Sequence, residues 1–178
     1  KLSTPENVQS VNESDGARFF VLIPALDETN ILENTIKYFS DILQPFKGSK
    51  IAIVTTEEEY RLNCKKGSRD TVTLSESLEK KFSNVICIHY PYVGGKMAHQ
   101  VNYAVNSIRD SFQLKAGDYF SIYNADSRPD SRTFNWIWHT VHSIRRGENI
   151  PQVFQQYGNY LGNYPSISCI SDFLRKSI

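Results

Sequence analysis

Cysteine is scarce and unpaired: Cys64, Cys87 and Cys169 stand far apart with no CxxC among them. An odd, scattered set builds neither a disulfide framework nor a zinc knuckle, so a reducing cytoplasm is the expected setting. Charge of one sign is missing too. With 20 Lys and Arg against 19 Asp and Glu the formal net charge is +1, which gives no electrostatic footprint for nucleic acid or an anionic membrane. Long apolar runs are absent: residues 19–26 form the longest, and Pro24 interrupts it well short of the roughly 18 residues a spanning helix needs. No signal-peptide pattern is visible. Methionine occurs once, at Met97, and the first residue is Lys1, so a processed product or a piece of a longer chain is expected.

Several motifs are also lacking. The first apolar run leads into Pro-Ala-Leu-Asp-Glu without glycine, so the GxGxxG dinucleotide fingerprint is absent, and no GxxxxGK[ST] phosphate loop occurs. His89, His99, His139 and His142 show no metal-ligand spacing. Neither a Ser-His-Asp arrangement nor an activated cysteine follows from the spacing.

What is present describes an α/β chain. Its 178 residues, 40% apolar and 12% aromatic, suffice for one core, and one domain is expected. Residues 19–23 read as a strand covered on both faces. Leu32, Ile36, Phe39 and Leu43 recur as one face of a helix. Residues 51–54 give a second buried strand, and after a polar loop Leu74, Leu78 and Phe82 mark a second helix. Residues 85–88 give a third strand, and Met97, Val101, Ala104, Val105 and Ile108 the next helix. Residues 119–123 form a fourth strand. Phe134, Ile137, Trp138, Val141 and Ile144 mark a last helix, with Ser131 as its N-cap and Arg145, Arg146 and Gly147 at its end. A short strand over 152–156 is expected to follow. Four alternations of strand and helix predict a mainly parallel sheet flanked by helices.

Ligands of such sheets lie beyond the carboxyl ends of the strands. That selects residues 24–28, 55–57, 90–96 and 124–130. Asp126 and Asp130 are able to offer oxygens to a hard cation such as Mg²⁺ or Mn²⁺, or else serve as turn and cap residues. Gly94-Gly95-Lys96 opens a helix N-terminus, where an anion is favoured, and is equally an ordinary loop with a solvated lysine. His99 shares that cleft or is a surface histidine. Glu57, Glu58 and Glu59 read as a solvated face with one member near ligand, and Lys65, Lys66 and Arg69 as a basic loop. Trp138 reads as core.

Three stretches in order resemble the family 2 glycosyltransferases with the GT-A fold. They are Val21-Leu22-Ile23-Pro24-Ala25-Leu26-Asp27-Glu28, Gly95-Lys96-Met97-Ala98-His99-Gln100-Val101-Asn102-Tyr103-Ala104 and Asn124-Ala125-Asp126-Ser127-Arg128-Pro129-Asp130. The resemblance covers about residues 18 to 160. It implies a Rossmann-like GT-A domain, truncated at its C-terminus, that transfers a sugar from a nucleoside-diphosphate donor, UDP favoured, to a hydroxyl of an acceptor glycan or lipid-linked sugar. By the same resemblance Pro24, Ala25, Leu26, Glu28, Thr55, Glu57, Lys96, His99, Asn102, Asn124, Ala125 and Asp126 contact the donor. Asp126 would hold Mn²⁺ or Mg²⁺ against the diphosphate, in keeping with metal-assisted, inverting transfer in cell-envelope polysaccharide synthesis. Membrane association at the inner face would come from segments outside these residues.

The sequence departs from the family pattern at Asn124, where an aspartate is usual, at Asp27, where asparagine is common, and at Thr55-Thr56-Glu57, where many relatives carry two aspartates and a serine. Relatives also place a catalytic base downstream in a carboxylate pair; only Asp172 follows Asn159 here, so weak or no activity of these residues alone is expected. A non-catalytic nucleotide-sugar or protein-binding domain is the alternative, with a sugar-phosphate nucleotidyltransferase further off.

Overall fold

A computed structural model describes residues 18–66, 70–115 and 118–144. Its nine elements are β1 (Phe19–Pro24), α1 (Leu32–Leu43), β2 (Lys50–Thr56), α2 (Glu57–Lys66), α3 (Thr71–Lys81), β3 (Val85–Tyr90), α4 (Met97–Ser111), β4 (Tyr119–Ile122) and α5 (Thr133–Ile144). The strands form one four-stranded sheet, ordered β3-β2-β1-β4, with every pairing parallel. The α/β architecture with a parallel sheet flanked by helices is as the alternation predicts, and it is compatible with a Rossmann-like fold.

Alternation along each strand sorts its side chains to two faces. Phe19, Val21 and Ile23 of β1 join Ile51 and Ile53 of β2 and the apolar faces of α1, α3 and α5 in the larger core. Phe20, Leu22, Ala52 and Val54 face α4 through Val101, Ala104 and Ile108. Both central strands are therefore buried on each side, which is why they read as unbroken apolar runs. The outer strands β3 and β4 are only half covered. At the amino-terminal edge of the sheet Arg18 makes a two-pronged ion pair with Asp118, at 2.9 and 2.6 Å, tying the start of β1 to the start of β4.

Several expectations are corrected. The polar loop after β2 is the helix α2; Lys65 and Lys66 belong to it, and Arg69 lies outside the described residues. Glu59 is not solvated: it is 3% exposed and accepts from the backbone N–H and the hydroxyl of Thr71. A buried carboxylate so used docks α2 to the start of α3, something no apolar period announces. Met97 is 51% exposed, because it occupies the first position of α4, clear of the sheet. Phe82 caps the C-terminus of α3 rather than continuing it. Ser131 does not cap α5; the turn before it is closed by Asp130, whose carboxylate accepts from the Arg132 N–H at 2.8 Å while its carbonyl accepts from the Thr133 N–H. Trp138 is half-buried against the core and stacks on His142. The expected end of that helix at 145–147, the strand over 152–156 and Asp172 lie outside the described residues.

Candidate functional site

In an all-parallel sheet the carboxyl ends line one edge, and the register sets their order. Pro24 lies opposite Val54, Thr55 opposite His89, and Leu22 opposite Ile122. The loops after β1, β2 and β4 are thereby neighbours. The loop after β3 is separated from β4 by the full width of the sheet, about three strand spacings or roughly 14 Å.

After β1 the chain turns sharply. The Ala25 N–H still donates to the Val54 carbonyl at 3.0 Å, Leu26 is exposed, and Asp27 sits in the left-handed region at φ +55°. Asparagine and aspartate tolerate that conformation better than other side-chain-bearing residues. Asp27 therefore serves the backbone of the motif. The Glu28 carbonyl then accepts from the Ile31 and Leu32 N–H groups to start α1, and its half-buried side chain borders the turn.

The turn after β4 is tethered from below. The Thr35 hydroxyl of α1 donates to the Ala125 carbonyl at 2.5 Å, and the Tyr38 hydroxyl to the Pro129 carbonyl. The Ser127 N–H closes the turn on the Asn124 carbonyl at 2.9 Å. Ala125 and Pro129 are buried by these tethers, and Asn124 and Asp126 are left exposed at the top. The Ser127 hydroxyl donates to Asp126 at 3.3 Å. Asp130, by contrast, is held by both prongs of Arg132, at 2.9 and 2.8 Å, and those hydrogen bonds pull its pKa down to about 2. Asp130 is thus engaged by Arg132, while Asp126 faces solvent with no charged partner among the described residues.

After β2 a hydrogen-bonded chain connects Thr55, His89, Glu57 and Arg61. Thr55 Oγ1 is 3.0 Å from His89 Nδ1, His89 Nε2 is 3.1 Å from Glu57 Oε2, and Arg61 Nε donates to Glu57 Oε1 at 2.5 Å. The bond from Arg61, and then that from His89, hold the Glu57 pKa below the ordinary carboxylate range. His89 is the residue that spacing alone could not find; the signal lies in the strand register, which sets it beside Thr55.

Lys96, His99 and Asn102 are exposed on the first turns of α4. The Lys96 N–H donates to His99 Nδ1 at 3.2 Å, so His99 closes the helix start. Gly94 and Gly95 have φ of +82° and +100°, and a Cβ on Gly95 would come within 3.0 Å of the Tyr90 hydroxyl. The close approach these glycines permit is thus to the chain's own Tyr90, which packs edge-on with Tyr92 and Tyr103. No hydrogen bond among the described residues joins Lys96, His99 or Asn102 to the other three loops.

A groove of about 420 Å³ runs between β3 and α4, lined by Ile86, Ile88, Tyr103 and Phe112 among others, with His89 on its border. It is not where Asp126 lies, since β4 is the opposite edge of the sheet. Cys87 also borders it, and burial pushes its thiol up to about 12, away from nucleophilic use. Among the described residues no three His, Cys, Asp or Glu side chains converge as a metal centre, and no helix is long and apolar enough to cross a membrane. No protein-family model matches the chain, and no curated protein matches it. The functional reading rests on the chain's own residues.

Proposed function

We propose that the chain is the GT-A type donor-binding domain of a metal-assisted glycosyltransferase. The observation that supports this reading is the adjacency, at neighbouring carboxyl ends of β1, β2 and β4, of the Pro24 to Glu28 turn, the Thr55–Glu57 pair and the exposed Asn124 and Asp126. A nucleoside diphosphate laid across this edge has its base beside Glu57 and its diphosphate beside Asp126. The sugar then lies over the β1 and β4 loops, where a hydroxyl of an acceptor glycan or lipid-linked sugar attacks its anomeric carbon as the bond to the diphosphate oxygen breaks, the hydroxyl proton passing to a general base or to solvent water.

One carboxylate, one amide and one hydroxyl fit a hard cation that takes most of its ligands from phosphate oxygens and water. Asp126 would hold Mn²⁺ or Mg²⁺, with Asn124 and Ser127 beside it. The ion supplies charge compensation for the departing diphosphate. Through that ion Asp126 would hold the phosphates at the β4 turn, and Asn124 would offer an amide to ribose or water.

Calorimetric titration of UDP and GDP with and without Mn²⁺ tests the reading. Binding that needs the metal and falls at least tenfold in Asp126→Ala is expected; metal-independent binding, or none, would overturn it. A non-catalytic nucleotide-binding domain is the second reading, favoured by the pairing of Asp130 with Arg132, which leaves Asp126 as the one carboxylate of the turn without a cation.

A further inference from the structure

His89 belongs to none of the three motifs, yet it stands in the middle of a chain of hydrogen-bonded side chains at the strand ends. Thr55, at 2% exposed, anchors one end in the core, while the Glu57 side chain at the other retains 21% of its surface. An ionised carboxylate only accepts, so His89 Nε2 must carry a proton; in the neutral ring Nδ1 then accepts from the Thr55 hydroxyl. Arg61 holds the other carboxylate oxygen. Each oxygen of Glu57 has one protein donor and one lone pair to spare.

We infer that His89 is a positioning residue: by clamping Glu57 against Arg61 it aims the spare lone pairs of the carboxylate at a nucleobase with a ring N–H, and so selects uracil and guanine over cytosine and adenine. The inference rests on the donor-binding reading above. Uracil N3–H and guanine N1–H donate to an acceptor-only group. The matching ring nitrogens of cytosine and adenine are themselves acceptors, so a fixed carboxylate repels them and leaves only the exocyclic amine to donate. A glutamate free to rotate would swing to that amine and lose the discrimination, and ordering it on binding would itself cost affinity. Selectivity therefore depends on the clamp.

The test is a set of calorimetric titrations with UDP, GDP, CDP and ADP in Mn²⁺, on the wild-type chain, His89→Gln, His89→Asn and Glu57→Gln, each checked for folding by its thermal melt. A glutamine amide reaches the position of the imidazole Nε2 and still donates to Glu57; an asparagine amide reaches only that of Nδ1. We expect wild type to prefer UDP and GDP by roughly tenfold or more, in line with one charge-assisted hydrogen bond. His89→Gln keeps that ratio, while His89→Asn reduces it to within about threefold. An unchanged ratio in His89→Asn, or equal loss in both His89 variants, overturns the positioning role. Should His89→Asn fail to fold, Glu57→Gln carries the test, and a preference surviving in it overturns the inference. Metal-dependent binding without base preference in wild type refutes the inference alone. Absence of nucleotide binding by folded wild type refutes the donor-binding reading itself.

Discussion

The two ends of the same sheet edge are built differently. Past β2 and β3, side chain holds side chain: Thr55, His89, Glu57 and Arg61 form one chain anchored in the core. Past β1 and β4, side chains of α1 hold backbone, at the carbonyls of Ala125 and Pro129, and Asn124 and Asp126 stand exposed above. On the proposed donor-binding reading, the difference would suit two tasks. Reading a base needs an acceptor fixed before the ligand arrives, because discrimination depends on what it refuses. Gripping a hydrated cation needs a fixed place but an adaptable oxygen, because the metal sets the geometry of its own ligands.

Three substitutions probe that contrast. The largest effect is expected from Phe134→Ala. Its ring is fully buried, with its centroid 5.0 Å from that of Phe19 and 6.5 Å from that of Tyr123, the residue that leads into the Asn124 to Asp130 turn. Truncation should cost about 3–5 kcal/mol in urea unfolding. Amide exchange should quicken at Ala125 and stay unchanged at Thr55; equal quickening would mean that the two ends are one unit.

Thr35→Val comes next, removing a hydroxyl from a buried site and leaving the Ala125 carbonyl without its donor. A loss of about 1–3 kcal/mol is expected. Metal-dependent nucleotide binding should weaken with it while base preference holds. A shift in base preference would show that the backbone tether also governs the β2 end.

Arg132→Ala should have the smallest effect. With the pair intact the Asp130 pKa lies at about 2 rather than its ordinary 3.8. A depressed folded-state pKa contributes stability that is complete above the ordinary value and is lost as pH falls through the lower one. Without Arg132 the midpoint of Asp130, followed by carboxyl NMR, should rise toward 3.8, and stability should fall less steeply between 3.8 and 2. At neutral pH, where that contribution is complete, its loss should lower stability only slightly, because the pair is exposed and screened. Nucleotide binding that also stays constant would keep Asp130 out of the metal site.

Much of this frame is legible in the sequence because the central strands are buried on both faces and α1 has a full apolar stripe. Residues 19–23 and 51–54, and the Leu32, Ile36, Phe39 and Leu43 spacing, carry that signal directly. The helix α2 is illegible for a physical reason. Tyr60 and Leu62 are exposed, and what holds its start is the buried carboxylate of Glu59, so there is no hydrophobic period to read. The strand-end loops could be listed from alternation alone, but partnerships within them could not. Thr55 and His89 are 34 residues apart, and only the register of β2 on β3 makes them neighbours. Likewise, residue types alone offer Asp126 and Asp130 alike and only the family resemblance prefers Asp126, whereas the ion pair that engages Asp130 with Arg132 is seen only in the structure.

The ion pair of Arg18 with Asp118 pins β4 to β1 at the amino-terminal end of the sheet, and the hydroxyls of Thr35 and Tyr38 hold the turn beyond its other end. An edge strand has a neighbour on one side only, and fastening β4 at both ends supplies the hold that a second neighbouring strand would give.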